Sequence, residues 1–178
     1  MKKKVTIYIF DTNIFLTGID FNLFEGIIYT TPSIIEEVKD HRYIEKNRNI
    51  LNKINAAIET NKLKIKFPEN IYIEKIKNIS KKTGDFKALS DADKELIALS
   101  LELTEKSHEK VNLYSNDYSI ENVCSELKIP FFPLYKNGIE SGITWEIYCP
   151  YCKIIYKVED LNKTCEICGL KLRRRPKK

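Results

Sequence analysis

Residues 5–11 read VTIYIFD, a short and nearly continuous apolar run of β-branched and aromatic side chains that stops on Asp11. Such a run marks a strand buried on both faces, and strands of that kind belong to parallel sheets covered by helices. The run follows three lysines, as a leader segment would. Its shortness, with Thr6, Tyr8 and Asp11 inside or beside it, favours a first β-strand and a cytoplasmic protein. No other stretch approaches the roughly 20 apolar residues of a membrane span, so no membrane partner is expected.

Working outward from that strand, Thr31-Pro32-Ser33 opens a helix, with Ser33 as N-cap, Glu36 completing a capping box, and Ile34, Ile35 and Val38 as the buried stripe. A helix continues over 43–61. Residues 62–67 alternate charge with Leu63, Ile65 and Phe67, an edge-strand pattern closed by Pro68. Asn70 to Lys82 returns to helical spacing, and Thr83-Gly84-Asp85 breaks it. Ser90 then caps the strongest helix, carrying Leu96, Ile97, Leu99, Leu101 and Leu103. Val111–Ser115 reads as a strand, Tyr118–Leu127 as a helix and Ile129–Leu134 as a strand. Strands separated by helices predict a three-layer α/β domain with a parallel central sheet.

The texture changes past residue 135, where Lys136-Asn137-Gly138 and Ser141-Gly142 are rich in turn formers. The expected organisation is a domain over 1–136, a linker over 137–144, a small four-cysteine unit over 145–174 and a basic tail over 175–178. At 178 residues the chain can hold one full core plus such an appendage. Charge divides the same way. Residues 1–144 carry 21 cationic and 21 acidic side chains, whereas 145–178 carry 9 and 4, so the net +5 belongs to the C-terminal unit. A basic appendage on a balanced domain suggests a polyanionic ligand.

Four acids stand at strand ends or helix starts: Asp11, Glu37, Asp93 and Asp117. Ligands of open parallel sheets bind beyond the carboxyl ends of the strands, where Asp11 and Asp117 fall. Each could equally be a turn or helix cap. On a helical wheel Glu37 lies about 110° from the centre of its apolar stripe and Glu36 about 150°, so Glu37 borders the buried face. Asp93 shares a side with Leu96 and Ile97, while Asp91 shares one with Lys94 and Glu95; the alternative for Asp93 is capping-box partner of Ser90. Two carboxylates 4 Å apart repel by roughly 4 kcal/mol at an effective dielectric near 20, so a converged cluster needs protons or cations. Oxygen-only ligands favour Mg²⁺ or Mn²⁺, and those ions support phosphodiester hydrolysis. His41 and His108 have no partner motif and are expected to face solvent.

Cys149-Pro-Tyr-Cys152 and Cys165-Glu-Ile-Cys168 form two CxxC pairs twelve residues apart, a spacing that fits structural Zn²⁺ with a hairpin over Lys153–Thr164. Disulfides or a redox pair are the alternatives. Cys124 reads as an inert core thiol. Around the pairs lie Trp145, Tyr148, Tyr151, Tyr156, Lys171, Arg173, Arg174 and Arg175, a mixture of stacking and cationic groups suited to single-stranded nucleic acid. The same aromatics could instead cover the thin core of a small ribbon.

The phrases FDTN, TPSIIEEV, LSDADKELIALSLEL and YSNDYSIENV, in that order, resemble the motifs of PIN-domain ribonucleases. A four-cysteine ribbon behind that domain is similar to the Nob type of ribosome-assembly endonuclease. The resemblance implies a metal-dependent endoribonuclease with Asp11, Glu37, Asp93 and Asp117 as metal-binding acids, Ser115 as a supporting hydroxyl, and Cys149, Cys152, Cys165 and Cys168 on zinc. It implies as partners the precursor of small-subunit ribosomal RNA, cut near its 3′ end to leave 5′-phosphate and 3′-hydroxyl, the pre-small-subunit particle and other assembly factors. Asn116 departs from relatives with a second acid there. Two other readings fit the chain: a non-catalytic RNA-binding assembly factor, and a toxin-type PIN ribonuclease, which would commonly lack the ribbon.

Overall fold

A computed structural model describes residues 5–40, 44–107, 109–134 and 142–177. His41, His108 and most of the expected 137–144 linker lie outside the described residues. The apolar run forms β1 (Thr6–Phe10) at the centre of a five-stranded sheet. β1 is flanked by β2 (Gly26–Thr30) and β4 (Lys110–Tyr114), with β3 (Leu63–Ile65) and β5 (Phe131–Phe132) at the edges, and every pairing is parallel. Ile7, Ile9 and Phe10 are all buried, so both faces of β1 are covered, as a three-layer α/β arrangement requires. Phe10 meets Phe15, Phe21, Phe24 and Tyr114 in one aromatic cluster on one face.

The helices are α1 (Thr12–Phe15), α2 (Pro32–Val38), α3 (Ile44–Glu59), α4 (Asn70–Thr83), α5 (Asp91–Lys106) and α6 (Tyr118–Glu126). Two differences from the sequence reading have clear causes. β2 went unread because its five residues run into Thr31-Pro32 with no intervening turn signal. The N-cap of α2 is Thr31, not Ser33: the Thr31 hydroxyl accepts from Ile34 N, and Pro32 takes the first helical turn, where its missing N–H is harmless. Ser33 is thereby freed to donate to Glu95 of α5. Thr31→Ala should cost about 1 kcal/mol in chemical denaturation, and Ser33→Ala less.

The C-terminal unit is a three-stranded antiparallel ribbon, with β6 (Trp145–Tyr148) between β7 (Ile155–Tyr156) and β8 (Arg173–Pro176). Residues 153–164 do not form a hairpin of their own. Each CxxC knuckle reverses the chain, so its own flanks pair: β6 with β7 around the first knuckle, and Thr164 with Lys171 around the second. Arg175 and Pro176, expected in a basic tail, are the end of β8.

The ribbon sits on the α/β body through Gly84. That residue ends α4 at φ +87°, and a Cβ there would stand 2.4 Å from the Trp145 carbonyl oxygen. Gly84→Ala should cost roughly 2 kcal/mol or more, from left-handed strain plus the collision, and should expose the ribbon to limited proteolysis.

Candidate metal centre and nucleic-acid interface

Asp11 is placed by the end of β1 and is 4 % exposed. One carboxylate oxygen caps α1 by accepting from Thr12 N; the other accepts from the Ser115 hydroxyl at 2.7 Å and from the Asn13 amide. Burial, opposed by the Ser115 bond and reinforced by the charges of Asp93 and Asp117, pushes its pKa from 3.8 up to about 7. Three of the four predicted acids therefore share one electrostatic neighbourhood at the carboxyl end of the sheet. Glu37 is exposed and is drawn to the same end by the Thr12 hydroxyl, which donates to it.

Capping and clustering are compatible. Asp93 completes a capping box with Ser90, accepting from Ser90 N at 2.7 Å, and Asp117 caps α6 by accepting from Ser119 N at 2.7 Å. Each keeps its second oxygen without a donor among the described residues. Asp91 points away, as expected, and pairs with Lys94. Asn116, the departure from relatives with a second acid, is used structurally: its side-chain oxygen accepts from Leu134 N.

The acids do not form a closed cage. Among the described residues only the four cysteines bring three or more such ligand atoms within 4.8 Å of one another. An open, oxygen-only set still fits a small hard cation, because Mg²⁺ keeps several waters and uses one or two carboxylates plus substrate phosphate. Of the four acids Asp11 is the buried one, so a cation there would offset the largest cost of burial.

The cysteine cluster is closed. Cys149 and Cys168 sulfurs are 3.4 Å apart and Cys152 and Cys165 sulfurs 3.9 Å. These separations are far beyond the roughly 2.05 Å of a disulfide, and they bracket the roughly 3.8 Å edge of a tetrahedron with 2.3 Å zinc–sulfur bonds. Tyr156 Oη stands 3.1 Å from Cys165 Sγ, and Lys153 N–H and Cys152 N–H close the first knuckle onto Cys149. Cys124 is fully buried in the α/β core, as its apolar helix face predicted.

Of the residues expected to meet nucleic acid, Tyr151, Lys171 and Arg173 are exposed. Arg174 is turned inward. Its guanidinium binds buried Asp85 at 3.0 Å and Ser119 at 3.3 Å and stacks on Trp145. Asp85 also accepts from Asn122, which binds the Ile143 backbone through both its N–H and carbonyl groups. Arg175 pairs with Glu146 and stacks on Tyr148. Arg174 and Trp145 thus build the joint between the two units.

Residues 8–103 match the family model described as the PIN domain of ribonuclease. The chain is 33 % identical over 175 residues to Endoribonuclease Nob1 of Methanocaldococcus jannaschii, covering 98 % of this chain and 78 % of that protein. It is 34 % identical over 161 residues to Endoribonuclease Nob1 of Pyrococcus abyssi, covering 90 % and 88 %. The chain belongs to the PIN-domain ribonucleases of the Nob1 type. It is also 29 % identical over 168 residues to Ribonuclease VapC1 of Thermoplasma acidophilum, covering 94 % and 77 %.

In this PIN domain the sequence reading missed three site residues. Thr12 and Asn13, within the FDTN phrase, bind Glu37 and Asp11, and Asn13 also accepts from Asn116 N. Their signal was polar side chains directly after a strand-end acid. Glu95 of α5, half-buried, accepts from the Ser33 hydroxyl of α2, and Ser33 stands one helical turn before Glu37. No local pattern distinguishes it from an ordinary helical glutamate.

Proposed function

We propose that this endoribonuclease uses Mg²⁺ or Mn²⁺ held by Asp11, Glu37, Asp93 and Asp117, and that it cleaves precursor small-subunit ribosomal RNA near its 3′ end. The observation that carries the metal assignment is the buried Asp11 carboxyl, pushed up to about 7 beside two further carboxylates. The substrate assignment rests on the likeness to proteins named Endoribonuclease Nob1 and on the basic ribbon.

The cation, when bound, neutralises the acid cluster and the scissile phosphate and makes water a competent nucleophile toward phosphorus. Ser115, Asn13 and Thr12 N–H hold Asp11 in one orientation, so little reorganisation is needed as charge develops. Thr12 holds Glu37 in the same way. Water adds in line to phosphorus, the bond to the 3′ oxygen breaks, and that oxygen leaves as a hydroxyl beside a 5′-phosphate. Zn²⁺ on the four cysteines is structural in this account, and cysteines kept as zinc-bound thiolates rather than disulfides suit a reducing cytoplasm. Tyr151, Lys171 and Arg173 supply the ribbon's contacts to RNA on the pre-small-subunit particle.

RNA spanning a small-subunit 3′ end and an unrelated RNA of equal length, incubated in Mn²⁺ and in chelator, test this reading. A single Mn²⁺-dependent cut in the first RNA supports it. Equal cutting of both would favour the broad specificity of a free ribonuclease, and no cutting of either would leave a binding factor.

A further inference from the structure

The turn between α4 and α5 carries a cluster of cations that the catalytic account does not use. Three ammonium groups gather on the half-buried Phe86 ring: Lys94 at 4.9 Å, Lys81 at 5.0 Å and Lys87 at 5.9 Å from its centroid. Any two of them lie within about 11 Å, close to one Debye length at 0.1 M salt, so each raises the positive potential at the others. Cation–π attraction of about 0.5–1 kcal/mol apiece holds them there without cancelling any charge.

Compensation from carboxylates is thin. Lys94 is 7 % exposed and pairs with the outward Asp91. Lys81 has Glu159 of the ribbon at 4.0 Å, the limit of an ion pair. Glu74 is taken by Lys77. Among the described residues no carboxylate pairs with Lys87 or with neighbouring Lys82.

The location is as telling as the charge. Phe86 follows Asp85, the residue that receives Arg174 of the ribbon, and Lys87 is three residues before Ser90, which caps the helix bearing Asp93. Three residues span at most roughly 10 Å. The cluster thus lies beside the ribbon, through Lys81 and Asp85, and within a few residues of the helix start that carries Asp93, and the ring beneath it is already covered by ammonium groups, which favours phosphate over base stacking.

We propose that Lys81 and Lys87, gathered on Phe86 beside Lys94, form a phosphate-binding cradle that carries single-stranded RNA between the acid cluster and the ribbon. The proposal rests on the reading that the substrate is RNA. Its test is binding of a fluorescent single-stranded RNA by anisotropy without added divalent cation, across a salt series, for wild type, K81Q/K87Q and the control pair K64Q/K110Q. The expected result is a Kd raised about tenfold in K81Q/K87Q at 0.1 M salt, with the slope of log K against log salt reduced by about 1.4, as loss of two phosphate contacts to a single strand requires. K64Q/K110Q should bind as wild type, and thermal melts should match across all three. An unchanged slope in K81Q/K87Q, or equal losses in both pairs, overturns the cradle and turns attention to an acidic protein partner. Because no cleavage is read, a protein that binds through these lysines but cuts no RNA would overturn the catalytic reading alone.

Discussion

Asp11→Asn is expected to lose metal-dependent RNA cleavage by at least on the order of a thousandfold, the equivalent of about 4 kcal/mol in activation free energy. The same variant should be more stable than wild type at pH 8 when no divalent cation is present. The folded protein holds the Asp11 proton up to about pH 7, whereas the unfolded chain releases it near the ordinary value of 3.8. Between those pH values the folded state binds more protons, so stability falls as pH rises. The penalty is absent below pH 4 and fully present above pH 7, where it approaches roughly 4 kcal/mol. Asparagine removes it, less about 1 kcal/mol for an imperfect contact with Asn13. Thermal melts at pH 8 and pH 4 should show the variant several degrees ahead of wild type at pH 8 and a few degrees behind it at pH 4. An active variant would remove Asp11 from the metal centre; an inactive variant that is less stable than wild type at pH 8 as well as at pH 4 would reduce Asp11 to a structural cap.

Zinc loss should have the next largest effect, and it should be felt beyond the ribbon. Cys165→Ser opens the closed sulfur cluster, which stands in for much of a core in so small a unit. Among the described residues the buried apolar part of the ribbon is Ile147, Leu172 and the two inner cysteines, too little to hold three short strands. When β8 releases, Arg174 leaves Asp85, a fully buried carboxylate already pushed above its usual range by burial. Breaking a buried pair on one side costs about 3–5 kcal/mol. Trp145 is the only tryptophan and is stacked by Arg174, so its fluorescence reports this joint directly. The expected result is a red-shifted Trp145 emission, early melting and RNA affinity reduced about tenfold or more. An unshifted emission with the cysteine replaced would mean that the ribbon stands without its metal.

Much of the fold was legible because single elements carry unambiguous patterns. The run from Val5 to Asp11 can only be a doubly covered strand, and Ser90 with Asp93 writes the start of α5 in four residues. β2 was not legible, since a strand that passes through Thr30 into a Thr-Pro cap has no boundary of its own. At the site, helical spacing put Asp93 and Asp91 on different sides of α5, and in the structure Asp93 lies in the neighbourhood of Asp11 while Asp91 pairs with Lys94. The same spacing chose Glu37 partly because Glu36 was assigned to a capping box that Thr31 makes unnecessary; what holds the exposed Glu37 near Asp11 is the Thr12 hydroxyl. Arg174 shows the limit most clearly. Three consecutive arginines read alike in sequence, and only the antiparallel register of β6 with β8 turns Arg174 toward Asp85 while Arg173 stays exposed.

The acids at the carboxyl end of the sheet are proposed to hold a divalent cation for cleavage of RNA. Crystals soaked in Mn²⁺ at a concentration that supports cleavage test this most directly, through anomalous scattering. The expected result is a peak in contact with Asp11 and within reach of Asp93 and Asp117, absent from Asp11→Asn crystals. Cleavage-competent Mn²⁺ with no peak at Asp11 would contradict it.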